Sequence, residues 1–174
     1  MYSRLLLVPA AAAIAISQPA VGMDVQTLDA AQQRLFPGAT LIPSDFILSP
    51  AAVERLKLVY QVPVMRPAVK AWRVASGGWL FLDQVYGLND IVTYLVAVDA
   101  AGAVSGIEIL VCAEGYCGTT VPEWRAQFVG ITHGKWEPSE AVTSISGLSL
   151  SSTHIAEGVK KILAVHSRYL PTAN

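Results

Sequence analysis

Apolar and polar positions divide this chain into a helical beginning, an alternating middle and a helical end. Val25, Leu28, Ala31 and Leu35 recur at helical spacing, with Asp24 placed to cap the run and Pro37-Gly38 to stop it. Thr40 to Ile42 reads as a short strand. Ser49-Pro50 opens a second helix, serine as cap and proline in the first turn, which turns Val53, Leu56 and Val59 or Tyr60 inward. Pro63 and Pro67 forbid a regular element between them. Four extended runs follow: Ala71 to Val74, Trp79 to Tyr86, Ile91 to Val98 and Val104 to Cys112. The turns between them are short and rich in Gly, Asn and Asp, which predicts antiparallel hairpins. Pro122 to Phe128 reads as a short helix, and His154 to Tyr169 as a long one with Ile155, Val159, Ile162 and Leu163 at helical spacing. The pattern predicts an α+β fold, an antiparallel sheet flanked by N-terminal and C-terminal helices.

Composition changes the picture mainly at the N-terminus. The chain has 174 residues, 53% apolar and 14% charged. Part of that bias lies in residues 1–22, where Arg4 precedes a run from Leu5 to Ile16 that is almost wholly apolar. Ala20-Val21-Gly22 then sets small residues before a cut at Met23, the three-part pattern of a secretory signal peptide. The run is shorter than the roughly 20 residues of an ordinary spanning helix. A retained anchor and a buried helix are the alternatives. Cleavage leaves a single domain over 23–174 and places it in the periplasm, free or membrane-associated. It removes Arg4 and no acid, so the mature chain stays near neutral, without the basic stripe that nucleic-acid binding needs.

The stretch with the most chemistry is Ser146-Gly147-Leu148-Ser149-Leu150-Ser151-Ser152, four serines and a glycine in seven residues directly ahead of the last helix. A helix N-terminus carries free N–H groups and partial positive charge. Hydroxyls and a flexible glycine placed there suit a phosphate group. There is no Gly-x-Ser-x-Gly elbow, no phosphate-binding P-loop and no metal-ligand spacing among His133, His154 and His166. The serines of this stretch therefore do not read as acyl-transfer nucleophiles.

Several segments, in order, resemble the FMN-binding domain family, which includes the periplasmic flavin subunits of the Rnf complex and of the sodium-translocating NADH:quinone reductase. They are Arg34 to Ala39, the hairpin Ile91 to Leu110, Glu123 to Gly130, the serine stretch, and Glu157-Gly158-Val159-Lys160. The resemblance covers most of residues 24–170. It implies that a flavin transferase joins FMN by a phosphoester to the hydroxyl in the fourth motif place, here Ser149. Ser146, Gly147, Leu148, Leu150 and Ser151 then surround the phosphate. By position, Glu114 and Tyr116 lie in the loop that approaches the flavin in this family, with Tyr116 either packed on the ring or an ordinary surface aromatic. Three positions depart from the family pattern: Thr143 stands where an Asp is usual, Leu148 where Ala is, and Ser149 where Thr is. Two readings stay open. One is an exported electron-transfer flavoprotein that exchanges electrons with a membrane redox complex, a cytochrome or a periplasmic reductase. The other is a flavin-less accessory or assembly subunit of such a complex.

The remaining candidates are weighed on their residues alone. Cys112 and Cys117, in an exported chain, suit a structural disulfide; a redox-active pair and two separate thiols are the alternatives. His154, expected in the first turn of the last helix, is either a donor to the phosphate or a solvated residue. Trp124, Phe128 and Trp136 read as core or lid packing. Lys160-Lys161 reads as a solvated pair matched to the helix dipole.

Overall fold

The computed structural model describes residues 27–112, 121–135 and 149–170. Residues 1–26, with the signal segment and Asp24, lie outside the described residues. The element order is α1 (Leu28–Leu35), β1 (Leu41–Pro43), β2 (Phe46–Ile47), α2 (Pro50–Leu58), β3 (Ala68–Val74), β4 (Trp79–Tyr86), β5 (Ile91–Val98), β6 (Val104–Val111), α3 (Pro122–Ala126) and α4 (Ser149–Tyr169). The fold is the α+β arrangement that the sequence pattern predicts, with a sheet ordered β1-β3-β4-β5-β6 and every pairing antiparallel.

β4 and β5 pair along their whole length, from Trp79↔Val98 to Tyr86↔Ile91. The Gly77-Gly78 turn between β3 and β4 has two successive positive φ angles, +107° and +94°. A Cβ on Gly78 would lie 2.5 Å from the Val98 carbonyl oxygen, so only glycine fits there. β2 was not expected from sequence. It continues β1 along the outer edge of β3 in the same register, Phe46↔Val69 after Pro43↔Trp72. At the interruption the Asp45 carboxylate accepts from the Ala71 N–H at 3.1 Å, and the Ser44 N–H donates to the Ala71 carbonyl at 2.8 Å. A side chain thus replaces one backbone acceptor of the ladder, a substitution that no hydrophobic pattern encodes.

Alternation along the strands makes both faces apolar. On one face Phe81, Val85, Val92, Tyr94, Val96, Ile107 and Ile109 pack with Ile155, Val159, Ile162 and Leu163 of α4, Leu56 of α2 and Trp124 and Phe128 at α3. Trp124 and Phe128 meet edge to face, with centroids 5.0 Å apart. On the other face Trp72, Leu80, Leu95, Ala97 and Leu110 pack with Ala31, Leu28 and Leu35 of α1.

Several boundaries differ from the sequence pattern, among them β3, which starts at Ala68, and α3, which ends at Ala126. Thr27 caps α1 through its hydroxyl, which accepts from the Ala30 N–H at 3.2 Å. Ser49 caps α2 as expected, but Val59 is 65% exposed because the helix has ended, and Tyr60 is the residue that packs inward. α4 begins at Ser149, inside the serine stretch and earlier than the apolar spacing suggested. Among the described residues no helix is long and apolar enough to cross a membrane.

Candidate functional site

α4 lies across the sheet antiparallel to β4. His154 sits at Tyr86, Lys161 at Asp83, and His166 against Phe81, with ring centroids 6.5 Å apart. This sets the start of α4 at the same end of the sheet as the β4–β5 turn (Gly87 to Asp90) and the end of β6 at Val111-Cys112. The loop with Glu114 and Tyr116 leaves from that end, and the serine stretch returns to it. Glu114, Tyr116, Cys117, Thr143, Ser146, Gly147 and Leu148 themselves lie outside the described residues, as does Trp136.

What is described at this end suits an anion with an apolar body. The first four N–H groups of a helix have no intrahelical partner, and in α4 these begin at Ser149, with no acidic residue in the first turn to repel a phosphate. Ser151 and Ser152 are buried, and Leu150 between Ser149 and Ser151 is 41% exposed. Tyr86 and Leu88, on the turn tied to α4, are 63% and 65% exposed. Apolar surface beside a helix N-terminus is the donor set a flavin mononucleotide calls for: amides for the phosphate, apolar side chains for the ring.

His154 departs from the sequence expectation. It lies in the second turn of α4, and its Nδ1 is 2.6 Å from the Tyr86 carbonyl oxygen. A carbonyl only accepts, so Nδ1 carries a proton and the Nε2 of the neutral ring is an acceptor. The half-buried ring thus ties α4 to the hairpin. Lys160-Lys161 also differs. The helix runs on to Tyr169, so the pair is far from its C-terminus, and Lys161 is buried. Its Nζ donates to Asp83 at 2.8 Å, while the Tyr94 hydroxyl donates to the other Asp83 oxygen at 2.6 Å. Burial, followed by the Asp83 charge and hydrogen bond, pushes the Tyr94 hydroxyl well above its ordinary pKa. Sequence spacing missed this cluster because Asp83 and Lys161 are 78 residues apart. The one available signal was an acid in the middle of an apolar strand.

A cleft of about 470 Å³ opens elsewhere, between β2, β3 and β4, where β3 leaves β4 beyond Lys70↔Leu82 to pair with β2. None of the sequence-predicted flavin residues lines it. Cys112 is buried beside the α4 end of the sheet, and no free cysteine occurs among the described residues.

Residues 87–164 match the model of the FMN-binding domain. This stretch belongs to the FMN-binding domain family. It begins at the β4–β5 turn, spans β5, β6, α3 and the serine stretch, and ends within α4. The match therefore contains every residue placed above at the α4 end of the sheet except Tyr86. FMN is the cofactor of such a domain, and the chain is a flavin-binding protein. A comparison with curated proteins finds no significant match.

Proposed function

We propose that the protein is an exported electron-transfer flavoprotein that carries FMN as a phosphoester on Ser149. The observation that carries this reading is the position of Ser149, the first residue of a 21-residue helix, inside the stretch that matches the FMN-binding domain. The resemblance of the serine stretch to the family's attachment motif supports the covalent link. In forming it, the Ser149 hydroxyl bonds to the phosphorus of an FMN phosphoanhydride. The anhydride bond breaks, its other half leaves, and the hydroxyl proton passes to a base on the transferase. Once bound, FMN supplies one- and two-electron chemistry, and the chain supplies position and electrostatics. The positive N-terminal end of the α4 dipole favours the remaining phosphate charge. His154 keeps the hairpin against the helix. Leu150, Tyr86 and Leu88 offer apolar surface to the ring.

The signal-like residues 1–22 support export to the periplasm, and export supports a Cys112–Cys117 disulfide after β6. The partner is then a membrane redox complex or a cytochrome on the same side. Intact mass of the natively purified protein tests the whole reading. A mass equal to the chain from Met23, plus FMN less one water, minus two hydrogens, is the expected result. A bare chain mass with no flavin fluorescence on a denaturing gel overturns covalent attachment and favours the flavin-less subunit, for which Leu148 and Thr143 are the motivating departures.

A further inference from the structure

The apolar contacts of α4 do not by themselves fix where along the sheet the helix lies. Ile155, Val159, Ile162 and Val165 are all buried and follow one another at one-turn intervals. A slide by one turn that brings Val159, Ile162, Val165 and Tyr169 into their places would keep carbon-rich side chains against the sheet and would move Ser149 by about 5.4 Å. One polar contact breaks this near-degeneracy. Asp83, on the helix-facing side of β4, receives both the Lys161 ammonium and the Tyr94 hydroxyl. The side chains of Lys161 and Asp83 are only 11% and 19% exposed. Gly158 lies directly over Tyr94. A Cβ there would collide with the Tyr94 hydroxyl and sit 3.1 Å from the ring carbon that bears it and 3.2 Å from Asp83 Oδ2. After a one-turn slide, a residue far larger than glycine would stand over Tyr94, and Lys161 would lose Asp83.

We propose that Asp83, Tyr94, Lys161 and Gly158 form a register lock that sets the axial position of α4 and so positions Ser149 and the flavin phosphoester. A single buried polar contact that selects one register among near-equivalent apolar packings is a known use of such groups. The lock acts at a distance. Lys161 is twelve residues beyond Ser149, about 18 Å along the helix. It is a set of positioning residues, and none touches the cofactor. The inference rests on the reading of Ser149 as the attachment point.

The test uses the full chain, expressed with a flavin transferase. Asp83→Leu, Tyr94→Phe and Lys161→Met are combined, which removes every polar member together and leaves none orphaned. Gly158→Ala is made alone and with Tyr94→Phe. The readouts are denaturation midpoint, rate of FMN attachment by intact mass, and hydrogen exchange of residues 149–153. The triple variant should unfold close to the parent midpoint, yet lose exchange protection in those residues. Its attachment rate should fall at least on the order of 100-fold, since a misplacement of about 1 Å already costs that much and a one-turn slip is larger. Gly158→Ala should show the same loss, and Tyr94→Phe should partly restore it by removing the hydroxyl that the new methyl group strikes. Parent-like attachment and exchange in the triple variant, or a Gly158→Ala defect that Tyr94→Phe leaves untouched, would overturn the lock. A parent chain that takes no flavin overturns the attachment reading instead, and the exchange pattern then decides the register by itself.

Discussion

Lys161→Met leaves the Asp83 carboxylate between the sheet and α4 with, among the described residues, the Tyr94 hydroxyl as its side-chain partner. Removing one member of a buried pair costs about 3–5 kcal/mol, because the charge left behind is uncompensated. The remaining hydrogen bond and the residual exposure of Asp83 argue for the lower end, about 3 kcal/mol. For a chain of this length that corresponds to a fall in Tm of about 6–12 °C. Asp83→Leu is expected to cost at least as much, since it strands both Lys161 and the Tyr94 hydroxyl. The triple replacement Asp83→Leu/Tyr94→Phe/Lys161→Met should lie within about 1 kcal/mol of the parent, since an apolar core of similar volume avoids the desolvation of the ions. Urea unfolding followed by tryptophan fluorescence measures all three, with unchanged slopes as the control. If the triple variant instead costs the sum of the single changes, the cluster is a net source of stability. The view that it serves register would then fail.

Stability should also fall above pH 10, the ordinary tyrosine value. The pKa of Tyr94 is raised in the folded state, first by burial and then by Asp83, so the unfolded chain loses its proton first and gains from rising pH. Tyr94→Phe should flatten that alkaline limb of the Tm profile. On the acid side, burial lowers the pKa of His166 and, with Arg168 and Lys160 nearby, that of His133. Both favour the neutral ring when folded, so their contribution is present above pH 6.5 and is lost as pH falls below it; His133→Asn/His166→Asn should reduce the slope there. Trp124→Ala should cost about 3–5 kcal/mol by the cavity it leaves against Phe128, read as a lower urea midpoint.

The strands were legible where the apolar positions alone decide them. Trp79 to Tyr86 and Ile91 to Val98 coincide with β4 and β5 residue for residue, because each is closed by a short turn rich in Gly, Asn or Asp. β2 was not legible, because Asp45 supplies through its side chain what the strand lacks in its backbone. α4 starts five residues ahead of the expected His154, since Ser149 to Ser152 read as loop chemistry. A helix that is 21 residues long and held by its apolar face overrides the weak propensity of serine. Lys161 was misread for a related reason. A lysine beside another lysine looks solvated until the strand beneath the helix is known to offer a carboxylate.

The corrected helix start sharpens which serine can receive the flavin. Had the helix begun near Ser152, Ser149 and Ser151 would both have been loop hydroxyls open to an enzyme. With the helix starting at Ser149, Ser151 and Ser152 are each 2% exposed, packed where a transferase cannot reach them. Ser149 precedes that buried pair, in the first turn of α4, where the helix dipole is positive. On the proposed reading, a phosphoester at Ser149 would lie at the positive end of the helix dipole. Ser149→Ala should therefore abolish covalent flavin while leaving the denaturation midpoint nearly unchanged, whereas Ser151→Ala should retain it. Peptide mapping of the flavin-bearing chain decides the matter. Attachment recovered at Ser151 or Ser152 would mean that the first turn of α4 opens for modification, and that the helix forms around the cofactor and not ahead of it.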